Sequence, residues 1–171
     1  MHIREATSED AAAFLDLFER INSETEFMLL EAGELQVSVD AQARQIEQAA
    51  ASGSGVTMLS EHEGRLAGFA SGRRYPGKRQ AHCLYIGIGV LQACIGRGIG
   101  RQLMMATEQW AGAHAYHRLE LMVNVSNHRA LALYESLGFE REGVRRHGFR
   151  IAGEYVDLFY MSKLRGDEQA A

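Results

Sequence analysis

The stretch that decides the fold covers residues 90–101 and reads VLQACIGRGIGR. An alternating apolar run precedes it and a helical pattern follows it, so it joins a strand to a helix. Glycines at three alternate positions, Gly96, Gly98 and Gly100, leave the backbone amides unshielded. Several N–H groups can then point into one concavity at the positive end of a helix, which suits a phosphate or pyrophosphate. A tight turn with close helix packing is the alternative explanation of these glycines.

Two common phosphate-binding motifs do not fit this loop. A P-loop needs Lys followed by Ser or Thr after its last glycine, and no such pair follows here. A dinucleotide-binding loop needs a glycine at the sixth position counted from Gly96, where Arg101 stands. That loop also follows the first strand of its domain, whereas this one comes late in the chain. Both nucleotide-binding interpretations are therefore disfavoured.

Outward from the loop, the sequence predicts a mixed sheet with helices in the order βααβββαβαββ, so the fold class is α+β and resembles α/β. The predicted strands cover residues 2–6, 56–61, 65–74, 82–90, 119–124, 142–149 and 155–163. The first predicted helix begins at a capping box at Thr7 and ends near residue 22. The other predicted helices cover residues 39–51, 98–115 and 127–137. The segment 23–36 is predicted to be irregular.

Length and composition narrow the class of protein. The chain has 171 residues, the size of one ordinary globular domain. Hydrophobic residues make up 46% and charged residues 23%, which are average values and exclude a disordered or collagen-like chain. We expect a single domain over residues 1–165 and a disordered tail over residues 166–171.

Charge and cysteine usage bear on partners and compartment. A formal net charge of −4 leaves no overall basic surface for nucleic acid. No stretch is apolar enough to span a membrane, and the N-terminus lacks the apolar core of a signal peptide. Two cysteines, Cys83 and Cys94, are too few for a disulfide framework or a zinc quartet. We expect a cytoplasmic protein with free thiols and neither a metal nor a membrane partner.

A second block, residues 124–139, reads NVSNHRALALYESLGF. In it Asn127, Ala130 and Tyr134 precede the pair Gly138-Phe139. Together with the glycine loop, this block resembles the GCN5-related N-acetyltransferases, whose coenzyme loop is written Arg/Gln-x-x-Gly-x-Gly/Ala. The remainder, residues 142–164, is similar to a bacterial branch of that family that acetylates small amines or amino acids. The resemblance covers nearly the whole chain and its predicted strand order.

The resemblance implies acetyl-CoA as co-substrate and a sheet that is splayed at its centre. The pantetheine arm would pair with free backbone near Ile88 and Val90, and Asn127 would hydrogen-bond the same arm. The pyrophosphate would lie on the loop formed by Gly96, Arg97, Gly98, Ile99, Gly100 and Arg101. One position departs from the family pattern, because Ile95 stands where Arg or Gln is usual. We therefore expect slightly weaker coenzyme binding that depends on the backbone amides and on the two arginines.

The reaction that the resemblance implies is direct acetyl transfer from a thioester to an amine in a ternary complex. The leaving thiolate has a conjugate-acid pKa near 8.5 and a tyrosine has one near 10, so Tyr134 is the candidate general acid. Tyr134 also shares an apolar helical stripe with Leu133 and Leu137, so packing is its alternative role. Neither cysteine has the setting of an acyl carrier.

The acceptor amine must lose a proton, because an ammonium with a pKa near 10.4 is only about 0.1% neutral at pH 7.4. Glu120 is the candidate base, since it alternates with Leu119 and Leu121. In several relatives the carboxylate lies two positions later, where this chain has Met122. His82 and Tyr85 are weaker candidates for the base.

The irregular segment after the first helix is expected to border the acceptor pocket. Glu24, Glu26, Phe27 and Met28 would suit a small cationic or apolar amine. Tyr85 is a further candidate for contact with the acceptor. A solvated acidic loop is the alternative explanation of that segment.

Three hypotheses about function stay open at this stage. The first is an acetyltransferase that acts on a small-molecule amine. The second is an acetyltransferase for protein N-termini or lysines, which needs an open peptide groove. The third is a non-catalytic acyl-CoA sensor, against which the presence of Tyr134 counts. The sequence leaves the oligomeric state undetermined, and a homodimer stays open.

Overall fold

The computed structural model describes residues 1–166, which form one mixed sheet with helices on both of its faces. The strands are β1 (His2–Glu5), β2 (Gly55–His62), β3 (Arg65–Arg74), β4 (Cys83–Val90), β5 (Arg118–Asn124), β6 (Glu140–Ile151) and β7 (Glu154–Leu164). The helices are α1 (Ala11–Glu24), α2 (Val39–Ser52), α3 (Ile99–Ala113) and α4 (His128–Ser136). Apart from Gly166, the predicted tail lies outside the described residues.

The strands are ordered β1-β2-β3-β4-β5-β7-β6 in the sheet. Neighbouring strands are antiparallel except for β4 and β5, which run parallel. This mixed sheet and the element order confirm the predicted fold class. In residues 1–166, none of the helices has the length and apolar character needed to cross a membrane.

The centre of the sheet is splayed, as predicted. The parallel strands β4 and β5 are in register only at three pairs, from Cys83 with Arg118 to Tyr85 with Glu120. On their outer sides, β4 stays paired with β3 up to Val90, and β5 stays paired with β7 up to Asn124. The facing edges of β4 and β5 therefore separate beyond Tyr85, and their backbone groups are left for another partner.

The two faces of β4 serve different parts of the core. Leu84 and Ile86 are buried in the larger apolar cluster, which packs around α3 and α4. The opposite face carries Tyr85, Gly87 and Gly89 and lies toward α1. A Cβ atom at Gly89 would lie 2.9 Å from the Phe69 ring and 3.0 Å from Ile21 Cγ2, so glycine lets α1 approach the strand closely.

Candidate active site

A cavity of about 1720 Å³ lies along the splay. Its walls include the separating ends of β4 and β5, the glycine loop, the start of α4 and the segment after α1. Most of the predicted coenzyme residues line it: Ile88, Val90, Gly96, Gly98, Ile99, Gly100, Arg101, Asn127 and Tyr134. Arg97 is not part of this lining. The predicted coenzyme and acceptor regions thus meet in one continuous space.

The three loop positions require glycine for two different structural reasons. Gly96 has a φ of 82° and Gly98 a φ of 77°, which are left-handed conformations that favour glycine. A Cβ at either position would meet no atom within 4 Å, so the space above the loop is open. A Cβ at Gly100 would instead lie 3.2 Å from Leu133 Cδ2, so this third glycine allows α3 and α4 to pack closely.

The two arginines of the loop are held by neighbouring elements. The Arg97 guanidinium donates to Nε2 of His62 on β2, with Nη1 and Nε2 2.7 Å apart. Arg101 Nη2 donates to Oγ of Ser136 on α4 at 2.6 Å. Ile95, which departs from the family pattern, also lines the cavity. Both arginines are exposed, and of the two Arg101 lines the cavity.

Two asparagines line the cavity where β5 passes into α4. Asn127 caps the helix, because its Oδ1 accepts from the Ala130 N–H at 3.2 Å. Asn124 is buried, and its Oδ1 accepts from the N–H and the hydroxyl of Ser126, each at 2.8 Å. Neither amide nitrogen has a protein partner among residues 1–166, so both are free to donate to a bound molecule. Sequence reasoning missed Asn124, although it follows Glu120 and Met122 on one face of the strand.

Tyr134 packs in the core and also lines the cavity, so its general-acid role stays a prediction that its packing does not oppose. Its side chain is 6% exposed, and its ring packs near Phe139 with centroids 6.0 Å apart. Its hydroxyl forms no hydrogen bond within the described part of the chain, and the residue lines the cavity. Burial raises the pKa of Tyr134 well above its ordinary value of 10, and the nearby Tyr85 adds to this rise. The phenol is therefore protonated at neutral pH and available as a donor.

One end of the cavity, here called the acceptor end, is the part that was predicted to receive the amine. Phe27, Met28 and Tyr85 line it, and Glu26 does not. Glu24 is used elsewhere, because its Oε2 accepts from the backbone N–H of Gln92 at 2.7 Å. This bond ties the end of α1 to the start of the loop. The acceptor end is therefore more apolar than the glutamate content of the segment indicated.

Phe149 also lines the acceptor end, and sequence reasoning missed it. Its position depends on an irregularity in β6, where the register with β7 shifts between Arg145 and Phe149. Within this shift His147 has a φ of 53°, and its N–H donates to Asp157 Oδ1 at 2.8 Å. Such a bulge bends a strand and redirects the side chains that follow it.

Glu120 lies beside the acceptor end but is not part of the cavity lining. Its Oε1 accepts from the Tyr75 hydroxyl at 2.6 Å, and its Oε2 accepts from Arg118 Nε at 2.5 Å. Arg118 also pairs with Glu142 and, together with Ser162, lowers the pKa of that carboxyl to about 2. Glu120 is thus part of an ion-pair network, and its role as a base stays a prediction. His82 is exposed and is not part of the lining either.

A splayed parallel pair, an open glycine loop and a buried tyrosine between them define the class of site found in acyl-coenzyme A transferases. The sequence agrees with this, because residues 14–139 match the acetyltransferase (GNAT) family. The chain belongs to the acetyltransferase (GNAT) family, which confirms the resemblance stated above.

Individual relatives are similar over part or all of the chain. The N-alpha-acetyltransferase RimI of Mycobacterium tuberculosis is 38% identical over 108 residues, which are 61% of this chain and 63% of that protein. The L-amino acid N-acetyltransferase AaaT of Escherichia coli is 32% identical over 91 residues, which are 51% of this chain and 54% of that protein. The matched region therefore spans less than two thirds of either relative. A GNAT acetyltransferase structure from Streptococcus pneumoniae has a TM-score of 0.92 at 29% identity, covering 95% of this chain and 98% of that one.

Proposed function

We propose that this protein transfers the acetyl group of acetyl-CoA to the primary amine of a small molecule by direct attack in a ternary complex. The observation that carries the proposal is the single cavity of about 1720 Å³, which joins the glycine loop to the acceptor end. A thioester and an amine can meet there without a covalent enzyme intermediate. Family membership supports the choice of acetyl-CoA as the donor.

The coenzyme would lie in the splay between β4 and β5. Backbone groups of Ile88 and Val90, which β5 leaves unpaired, would bond the pantetheine arm, and the amide nitrogens of Asn124 and Asn127 would donate to it. The pyrophosphate would lie over Gly96 and Gly98, where the space is open. Each charge-assisted N–H bond of this kind contributes roughly 1.5–3 kcal/mol.

In the chemical step, the amine nitrogen attacks the thioester carbonyl, the new C–N bond forms and the C–S bond breaks. The proton lost by the amine passes to a base, and the coenzyme thiolate takes a proton or a hydrogen bond from Tyr134. Burial has raised the pKa of that phenol, which makes full proton transfer costlier and hydrogen bonding to the developing thiolate the larger contribution.

The walls of the acceptor end favour a small acceptor. Phe27 and Met28 from the segment after α1 and Phe149 from β6 all line this end, so large apolar side chains from two distant parts of the chain bound it. Acetylation of a protein N-terminus is the second candidate, and the observation that favours it is the 38% identity to RimI. An acyl-CoA sensor would bind the coenzyme and release no thiol.

Acetyl-CoA is expected to stabilise the fold against heat. At a concentration 100 times Kd, binding adds about 2.7 kcal/mol to the free energy of unfolding, which raises Tm by roughly 5–10 °C in a domain of this size. Thermal melting with and without millimolar acetyl-CoA measures this shift, and adenosine without the pantetheine arm serves as the control. An unchanged Tm would contradict the coenzyme assignment.

Thiol release from acetyl-CoA across amino acids, polyamines, aminoglycosides and short peptides tests the proposed activity itself. We expect release with at least one small amine and a mass increase of the acceptor equal to one acetyl group. Release with peptides alone would favour the second candidate. A melting shift with no release for any acceptor would favour the sensor.

Glu120→Gln tests the proposed base. If Glu120 accepts the amine proton through a water molecule, the loss of kcat/KM is largest near pH 7 and smallest near pH 9–10, where more of the amine is already neutral. We expect this pattern in the pH profile of the variant. An equal loss at every pH would assign Glu120 to positioning within its network, and no loss would remove it from the mechanism.

A further inference from the structure

The cavity extends beyond the coenzyme and acceptor regions, across the sheet and beneath α2. Its floor there is a row of small residues on three neighbouring strands, in which Thr57 pairs with Ser71 and Ser71 pairs with Gly87. Directly paired residues lie on the same face of a sheet, here the face toward α1. We call this part of the cavity the α2 lobe; its floor is Thr57, Ser71 and Gly87, and its roof is the face of α2 that carries Gln42, Ile46 and Ala49.

The α2 lobe exists because its floor carries only small side chains. In the next row on the same face, Leu59 and Phe69 are buried in the apolar cluster that α1 covers. The floor of the lobe has a threonine, a serine and a glycine to fill the same depth. A Cβ at Gly87 would meet one atom within 4 Å, the Ser71 Oγ at 3.4 Å. The space above Gly87, at the edge of the splay, is therefore open, and the Ser71 hydroxyl borders it.

Helical spacing and one close approach define the roof of the lobe. Gln42, Ile46 and Ala49 follow one another at intervals of four and three residues, so they share one face of α2. The Ala49 Cβ lies 3.6 Å from the position of a Cβ on Gly55 of β2, so this face is turned toward the sheet. Thr57 is the next residue after Gly55 on the same side of the strand. The face of α2 that carries Gln42 therefore covers the row that begins at Thr57.

Polar groups without protein partners line the lobe from both sides. Gln42 is 8% exposed and lines the cavity, and its side-chain amide forms no hydrogen bond within residues 1–166. The hydroxyls of Thr57 and Ser71 also form none within that part of the chain. A buried amide or hydroxyl without a partner destabilises the fold. These three groups therefore gain from a bound molecule that supplies the missing donors and acceptors.

The side chains around the lobe favour an uncharged ligand group. Every residue of α2 that lines the cavity is uncharged. The charged side chains that β1 and β3 add to the lining, Glu5 and Arg73, are both exposed. A charged group in the lobe would lose its water and find neutral partners there, at a large cost. A hydroxyl, by contrast, can both donate to and accept from Gln42, Thr57 and Ser71.

We propose that Gln42, Thr57 and Ser71 form a neutral hydrogen-bonding subsite that holds an uncharged, hydroxyl-bearing part of the acceptor. This inference rests on the proposed acetyl transfer and adds a group of specificity-determining residues to the same cavity. Neighbouring strands are about 4.8 Å apart, so Ser71 and Thr57 lie roughly 5 and 10 Å from β4, the strand that borders the splay. A primary amine at the splay and a hydroxyl at such a distance can belong to one small molecule.

The test compares primary amines that differ only in a hydroxyl or a methyl group at the far end. The two pairs are tyramine with 2-(4-methylphenyl)ethylamine, and 6-amino-1-hexanol with heptylamine. The measured quantity is the ratio of kcat/KM for the hydroxyl member to kcat/KM for the methyl member, in the wild type, Ser71→Ala, Gln42→Leu and the control Ser60→Ala. Ser60 is a matched control, because its hydroxyl is also buried on an inner strand without a partner, but it does not line the cavity.

We expect the wild type to prefer the hydroxyl member of at least one pair by about tenfold, and Ser71→Ala and Gln42→Leu each to lower that ratio by about three- to tenfold, mainly through KM. Ser60→Ala should keep the wild-type ratio. A wild-type ratio at or below one for both pairs, or an unchanged ratio in both lobe variants, would overturn the inference and leave the acetyltransferase proposal standing.

A binding measurement separates this inference from the reaction. In the presence of coenzyme A, the hydroxyl member of a pair should raise the Tm of the wild type more than the methyl member does, and Ser71→Ala should reduce this difference. If no amine releases thiol and the difference in Tm is still found, the subsite stands and the proposed reaction fails. If neither is found, both are overturned. If Ser71→Ala and Gln42→Leu instead weaken the Tm response to coenzyme A alone, and Ser60→Ala does not, the lobe holds part of the coenzyme and the inference is overturned.

Discussion

Replacing Tyr134 with phenylalanine is expected to lower kcat by about 10²–10³-fold and to leave the affinity for acetyl-CoA nearly unchanged. The ring keeps its packing against Phe139, so the change removes only the hydroxyl. That hydroxyl has no protein partner in residues 1–166, and the thiolate of the departing coenzyme would be its first acceptor. The loss therefore falls on the transition state, in which the negative charge on sulfur develops.

Tyr116→Phe is the matched control for this variant. Tyr116 is also buried, but its hydroxyl donates to the Gly53 carbonyl at 2.7 Å, and it does not line the cavity. The control should lose some stability and keep its kcat. Steady-state kinetics with saturating acceptor measure both enzymes, and a Tyr134→Phe enzyme with full kcat would return Tyr134 to a packing role alone.

The sequence predicted most elements because their signals are local. β3 was predicted at residues 65–74 and is found there, since a tight turn at Glu63 and Gly64, both with positive φ, fixes its start. Gly53 and Gly138 end α2 and α4 in left-handed conformations, as such glycines commonly do. These features depend on a few neighbouring residues, which a single sequence shows.

Where the observed elements differ from the predicted ones, contacts between distant parts of the chain shape them. The capping box at Thr7 exists, but it encloses a short turn of 3₁₀ helix, Ser8–Asp10, and α1 begins only at Ala11. The Asp10 carboxylate is held by Arg4 of β1 at 2.7 Å, an ion pair that lowers its pKa to about 2. The strand β6 contains two shifts of register against β7 and extends from Glu140 to Ile151, beyond the predicted residues 142–149.

The candidate site also has one part that depends on local sequence and one part that depends on tertiary contacts. Most residues of its proposed coenzyme half were predicted from the sequence and line the cavity, because loop glycines and the start of a helix are local features. Its acceptor half depends on which side chains the splay brings together. Phe149 comes from the bulged strand β6, and no spacing along the chain relates it to Phe27 on the segment after α1. The acidic and apolar residues of the segment after α1 suggested a small cationic or apolar amine. Of these residues, Phe27 and Met28 line the cavity, whereas Glu24 and Glu26 do not.

Replacing Gly98 with valine is expected to raise the KM for acetyl-CoA by about 100-fold. The new side chain would stand in the open space above the loop and would shield one or two amides, each worth roughly 1.5–3 kcal/mol in bonds to a phosphate. Valine at a φ of 77° is also strained, so some loss of stability accompanies the loss of affinity.

Gly153→Val separates these two effects. Gly153 has a φ of 91° and open space around it, but it lies in the turn between β6 and β7 and is not part of the cavity lining. Both variants should lower Tm because of the strained backbone, and only Gly98→Val should weaken the response of Tm to acetyl-CoA. A normal KM in Gly98→Val would mean that the pyrophosphate does not lie on this loop. Because the loop is the feature from which the coenzyme assignment began, that result would remove its physical basis.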